Sequence, residues 1–266
     1  MLGVHTNYAS IVAQGAVNKS NNLLTNAMER LSTGLRINSA SDDAAGLQIA
    51  NRMSANVKGM ETASRNISDA TSMLQTADGA LEELTIIANR QKELATQAAN
   101  GVNSDADRLA LDAEFQELIK ESARIMTNTT YAGNDLFTKL EGGVQFQIGA
   151  GTTETLTVTS AKPTAVAGDL KDTAKSTQAI TDVDAYIKAV GTARSTLGAN
   201  INRLGHTSAN LASVTENTKA AAGRIMDADF AVESANMTRN QLLVQAGTTV
   251  LSSANQNTGL VMGLLR

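Results

Sequence analysis

Few side chains in this sequence belong to types that do chemistry, and their spacing gathers none into a constellation. His5 and His206 are the only histidines and stand far apart, so each reads as a satisfied polar contact. Asp42-Asp43 is a pair of carboxylates of the kind that serves acid–base catalysis or a metal. Ser39 and Ser41 precede it and a helix follows, so the pair reads instead as caps for backbone amides, favoured by the helix dipole. Met53 and Met60 lie seven apart, a core spacing rather than a cofactor box. HExxH, GxxxxGK and GxSxG are all missing, and with no cysteine the chain has neither thiolate ligand nor disulfide. Asn-x-Ser/Thr sequons begin at Asn18, Asn66, Asn128 and Asn236, inside helical patterns where they read as chance. The sequence therefore predicts no enzyme, no metal and no cofactor.

The elements that would position a site tell more. The 266 residues are 42% hydrophobic but only 3% aromatic, too few large rings for a broad globular core. Alanine is abundant and Pro163 is the only proline, so nearly the whole chain is free to be helical. A net charge of −4 makes no electrostatic case for nucleic acid or an acidic membrane surface. No run of 18 apolar residues exists to form a transmembrane helix. The N-terminus lacks the basic and apolar regions of a cleaved signal peptide, so export would need another route.

Charge is unevenly spread. Lys19 is the sole charged side chain from Met1 to Met28, and Glu233, Arg239 and Arg266 are the only ones from Ala231 onward. A solvated helix normally carries paired Lys and Glu, so these uncharged polar faces are expected to touch protein. Val4, Tyr8, Ile11, Val12, Leu23, Leu24, Ala27, Met28, Leu31 and Leu35 fall at helical spacings. Phe230, Met237, Val244 and Leu251 lie seven apart, joined by Leu243, Ala246, Val250, Leu264 and Leu265. The two ends can pair and still have apolar surface left over.

The longest pattern is a heptad seam: Ile49, Met53, Met60, Ala63, Ile67, Ala70, Leu74, Ala77, Leu81, Leu84, Ala88, Gln91, Ala95 and Ala98. At 1.5 Å per residue it spans about 75 Å, which predicts a rod. Asn100-Gly101 is expected to end that helix through a left-handed glycine, and Ser104 with Asp107 to start the next as a capping box. The second seam reads Leu111, Phe115, Leu118 and Ile125. A third, starting at Thr181 and Asp184, reads Val183, Ile187, Val190, Leu197, Ile201, Leu204 and Leu211. Val144, Phe146 and Ile148, then Leu156 and Val158, alternate as a hairpin; residues 159–177 read as an exposed loop. The fold class is mainly α: an elongated helical bundle or coiled coil drawn from both chain ends, with one small β-hairpin.

These residues also carry a family resemblance. Glu29-Arg-Leu-Ser-Thr-Gly-Leu-Arg-Ile-Asn-Ser-Ala-Ser-Asp-Asp-Ala-Ala-Gly46 resembles the N-terminal signature of bacterial flagellin. Ile49-Ala-Asn-Arg-Met53, Ala63-Ser-Arg-Asn66, Glu93-Leu-Ala-Thr-Gln97, Phe146-Gln-Ile-Gly149, the Ala246-Gly-Thr…Leu251 segment and the Leu264-Leu-Arg266 end continue it. The likeness covers about residues 1–160 and 180–266, and the short middle resembles a minimal, lateral-type flagellin.

The resemblance implies a structural subunit that polymerises into an extracellular helical filament, the propeller of swimming or swarming, after export by the flagellar type III route. It implies an inner core domain of residues 1–45 with 225–266, a surrounding rod domain of 46–224, and no variable outer domain. The polymerisation core would be Leu23, Leu24, Leu31, Phe230, Met237, Val244 and Leu251. In the free subunit both ends are expected to be disordered, becoming helical on assembly. Arg90, Leu94 and Glu114, flanked by Asn89, Lys92, Glu93 and Gln97, match the surface that Toll-like receptor 5 reads and that resembles the axial contact between subunits. Asn89 and Lys92 stand where Gln and Arg are commoner. Val261, Leu264, Leu265 and Arg266 resemble the segment bound by the inflammasome sensor and by the export chaperone, and Gly263 replaces a larger residue. Implied partners are further copies of the chain, the flagellar cap and hook-associated proteins, with no nucleic acid and no membrane. Two alternatives are a hook–filament junction protein, which usually carries Asp-Asp-Pro where this chain has Asp42-Asp43-Ala44, and a secreted coiled-coil effector or adhesin, which would need solvated ends.

Overall fold

The computed structural model describes residues 6–264, with side chains through residue 256. Val4, His5, Leu265 and Arg266, and the side chains of Val261 and Leu264, lie outside the described residues. The chain divides into two compact units, residues 1–55 with 217–266, and residues 56–216.

In the first unit, α1 (Tyr8–Thr33) packs on α6 (Phe230–Leu264). Asn7 caps α1 by accepting the Ser10 amide at 3.1 Å, and Gly34 ends it in the left-handed region at φ 73°. The chain then pairs back on itself: Arg36 N–H donates to Met226 O at 2.6 Å and Ala228 N–H to Gly34 O at 2.9 Å. Asp43 accepts the Gly46 amide at 2.8 Å, at the start of α2 (Ala44–Ala98). Asp42 accepts the Ser39 amide and then the Asn38 amide, which lower its carboxyl pKa. Asp43 therefore caps the start of α2, while Asp42 caps the amides of the turn that precedes it.

The second unit is a bundle of α2, α3 (Asp105–Asn128) and α5 (Thr173–Met226). Every seam residue read from Met60 to Ala98 is buried, with Met73 and Leu94 added. Facing them are Phe115 and Met126 from α3, and Val183, Tyr186, Val190, Ala193, Leu197, Leu204 and Leu211 from α5. Ser104 and Asp107 form the expected capping box. Two boundaries differ. Helix α2 stops at Ala98 and Gly101 is not left-handed, because Asn103 closes the turn by donating to Gln97 O at 2.6 Å. Helix α5 starts at Thr173, eight residues before the Thr181 start, because Asp172 accepts the Lys175 amide at 2.8 Å.

Between α3 and α5 the hairpin of β3 (Val144–Gln147) and β4 (Thr155–Val158) forms as its alternation predicts, Val144 opposite Val158 and Phe146 opposite Leu156. A smaller antiparallel pair, too short to show an alternation, comes first: β1 (Thr130–Tyr131) and β2 (Asn134–Asp135), turned by Ala132 and Gly133 at φ 50° and 78°, followed by the short α4 (Leu136–Gly142). Residues 159–172 are not the exposed loop expected. Ser160, Pro163, Val166 and Leu170 are buried, and Asp112 on α3 accepts the Leu170 amide at 2.9 Å while Gln116 donates to Gly168 O at 2.7 Å. The segment is a strap fastened to α3.

Candidate subunit-contact surfaces

Helices α1 and α6 run antiparallel, since Asn7 Nδ2 donates to Ala254 O at 2.8 Å while Arg30 Nη1 meets Glu233 Oε1 at 3.1 Å. Their seam follows steps of four and three: Glu233, Met237, Asn240, Val244, Gly247, Leu251 and Ala254 on α6, against Ser10, Ala13, Val17, Ser20, Leu24, Ala27 and Leu31 on α1, all buried or half-buried. Eight of these fourteen positions are small or polar, which brings the backbones close. At Gly247 an added Cβ would stand 2.6 Å from Val17 Cγ2. Of the expected polymerisation core, Leu24, Leu31, Met237, Val244 and Leu251 therefore line the pairing seam, while Leu23 and Phe230 face outward.

The seam leaves much apolar surface bare. Tyr8 is 77% exposed and Phe230 and Leu242 are each 60% exposed, accompanied by Ile11, Val12, Leu23, Met28, Val232, Leu243 and Val250. Exposed large apolar side chains in this number are uncommon on a solvated helix pair.

The second surface lies on α2 and α3. Arg90 donates from Nε to Glu114 Oε1 at 2.9 Å and from Nη1 to Glu93 Oε2 at 3.0 Å. These bonds, the Glu114 bond first, raise the guanidinium pKa further. Lys92 Nζ reaches Asp184 Oδ1 on α5 at 2.6 Å, a partner 92 residues away with no local signal in the sequence. Asn89, Glu93, Gln97 and Glu114 are exposed and Lys92 is half-buried. Leu94 is buried in the core, so it supports this surface from below. Ile86, exposed one turn before Arg90, was not singled out by its spacing. Gln91 is fully buried, and among the described residues its amide oxygen and nitrogen have no hydrogen-bond partner.

Among the described residues no group of three or more His, Asp or Glu side chains could hold a metal ion, and no helix is long and apolar enough to cross a membrane. What the molecule presents is helix pairing and open contact surface. Residues 4–141 match the family model of the bacterial flagellin N-terminal helical region, and residues 180–265 that of the C-terminal helical region. The chain belongs to the bacterial flagellin family. A flagellin of Halalkalibacterium halodurans is 44% identical over 247 residues, covering 90% of this chain and 91% of that one. The crystal structure of Bacillus cereus flagellin shares 34% identity at a TM-score of 0.51, covering 59% of this chain and 94% of that one. A putative flagellar hook-associated protein from Vibrio parahaemolyticus superposes with a TM-score of 0.60 over 70% of this chain and all of that one, but at 13% identity that likeness concerns the fold alone. This flagellin is a structural, non-enzymatic subunit of the extracellular flagellar filament, and it polymerises with copies of itself.

Proposed function

We propose that the α1–α6 unit is the inner, polymerising layer of the filament and that the bundle of α2, α3 and α5 is the surrounding rod. The observation that carries this is the chemistry of the first unit's outer face. Ile11, Val12, Leu242 and Leu243 are exposed on helices almost without charge, where a solvated helix would carry Lys and Glu. A heterologous contact of this surface with the next copy repeats without closing, giving an open helical polymer. The Arg90–Glu114 surface is the axial contact along a protofilament and the face available to Toll-like receptor 5. The C-terminal segment ending at Arg266 is the handle for the export chaperone and the inflammasome sensor, and the cap and hook-associated proteins bound the polymer at its ends. With only residues 142–179 between the matched regions, the chain serves as a minimal flagellin of lateral type.

The test places lysine on the outer face without touching the seam. Val12→Lys and Leu243→Lys each leave the circular dichroism of the subunit unchanged and stop elongation from seed filaments in electron micrographs. Normal elongation by both variants rejects the inner-layer role.

A further inference from the structure

The chain contains one Asn-Gly dipeptide, Asn100-Gly101, in the exposed link between α2 and α3. We propose that this link is a site of spontaneous covalent self-modification, in which Asn100 converts to aspartate and isoaspartate.

The reaction needs three things: a side-chain amide free to lose its nitrogen, a following backbone nitrogen free to attack, and open space around the turn in which they meet. Asn100 meets all three. Its Oδ1 accepts the Val102 amide at 3.2 Å, but among the described residues its Nδ2 donates to nothing. The Gly101 N–H likewise makes no hydrogen bond. Val102, the next residue, is 89% exposed, and no atom lies within 4 Å of where a Gly101 Cβ would stand.

The two Asn-Ser dipeptides outside the helices provide the contrast. Asn38 donates its Nδ2 to Leu35 O, and the following Ser39 N–H is held by Asp42 at 2.9 Å. Asn103 donates its Nδ2 to Gln97 O at 2.6 Å, and the following Ser104 N–H is held by Asp107 at 3.0 Å. In both, leaving group and nucleophile are tied by the caps of a neighbouring helix. Only Asn100 has both free among these three.

The step balances with hydroxide and water. Hydroxide removes the Gly101 amide proton, and that nitrogen bonds to Asn100 Cγ. The Cγ–Nδ2 bond breaks, ammonia leaves with a proton from water, and a five-membered succinimide remains. Water opens the ring at either carbonyl. Opening at Cγ restores a normal backbone with an aspartate; opening at the main-chain carbonyl inserts Cβ into the backbone as isoaspartate. Each product adds one negative charge, and isoaspartate lengthens the turn that Asn103 N–H closes onto Asn100 O at 3.3 Å.

Gly101 lies outside the left-handed region, so the turn does not require glycine and Gly101→Ala fits without strain. The experiment incubates the folded full-length subunit at mildly alkaline pH and maps its peptides by mass spectrometry, using electron-transfer fragmentation to separate aspartate from isoaspartate. Asn100 is expected to convert about tenfold faster than Asn38 or Asn103, because glycine lets the nitrogen reach Cγ. Gly101→Ala is expected to bring it down to their rate with an unchanged circular dichroism spectrum. Conversion of Asn100 no faster than that of Asn103, or an equal rate in Gly101→Ala, overturns the proposal.

Discussion

Tyr186 shows how one residue in a helical bundle reports on the whole of it. Its phenol is buried beside Met126 Sδ, and burial pushes its pKa from 10 up to about 12. A phenol whose folded pKa is raised contributes stability that is complete below pH about 10, the unfolded value, and lost as pH rises toward about 12. Alkaline titration of thermal stability should therefore fall across that window, and Tyr186→Phe should flatten the fall; an unchanged slope in the variant contradicts the assignment. The ion pairs behave differently. Arg90 and Glu114 are about half exposed, so their pair is worth at most about 1 kcal/mol to the fold. It fixes the direction of a guanidinium on the surface more than it stabilises the bundle. Gln91 beneath it is a stability cost: a buried amide group without a partner loses about 1–3 kcal/mol. Its polarity was visible in the heptad, but its lack of a partner was not, since that depends on what α3 and α5 bring opposite.

At the scale of elements, α1 and α6 are held in register by three points of different chemistry. Arg30 pairs with Glu233, Val17 fills the notch at Gly247, and Asn7 bonds Ala254. A buried polar group in a coiled-coil seam sets register at some cost in stability. The notch gives the sharpest test. Gly247→Ala forces a methyl onto Val17 and is expected to destabilise the pair by about 1–3 kcal/mol, as overpacking does. Adding Val17→Ala should recover most of that loss. A thermal melt in which the double variant is no more stable than Gly247→Ala shows that the notch does not set the pairing. The strap of residues 159–172 belongs to this scale too. Its anchors come at intervals of three and four among Ala, Thr and Lys, a spacing too sparse to read as an element. Asp112 and Gln116, some fifty residues earlier, hold its far end down, and Leu140 O holds the Ser160 amide at 3.0 Å.

At the scale of the molecule, the two units are built on different principles. The bundle of residues 56–216 buries its seams within one chain, with Leu, Val, Ile and Ala filling the interior. The unit of α1 and α6 buries a thin seam and leaves its widest apolar residues facing out. Most of a helix's stability comes from packing rather than propensity, so helices with this many large apolar side chains exposed are marginal until a neighbour covers them. Trypsin added to free subunits is expected to cut first at Lys19, Arg30, Arg224 and Arg239, while assembled filaments resist at those positions. Equal resistance in verified free subunits and in filaments would mean that the terminal helices are stable without neighbours.

What the sequence determined by itself was carried by period and local spacing, though at the start of the heptad seam Ile49 is exposed and Met53 half-buried. A heptad of Leu, Met, Ile and Ala repeated from Met60 to Ala98 can be satisfied only by burial along one side of a helix, and each of those residues is buried. The alternation around Val144 and Leu156 can be satisfied only by a pleated pair. The capping box at Ser104 and the aspartates at 42 and 43 act within four residues of themselves, so local spacing decided them too. The tertiary structure alone decided which apolar stripe of α1 meets α6 and which faces out, that Lys92 meets Asp184, and that residues 159–172 lie strapped against α3. In each of these the deciding partner lies tens to hundreds of residues away, and a contact at that distance has no period to show in the chain.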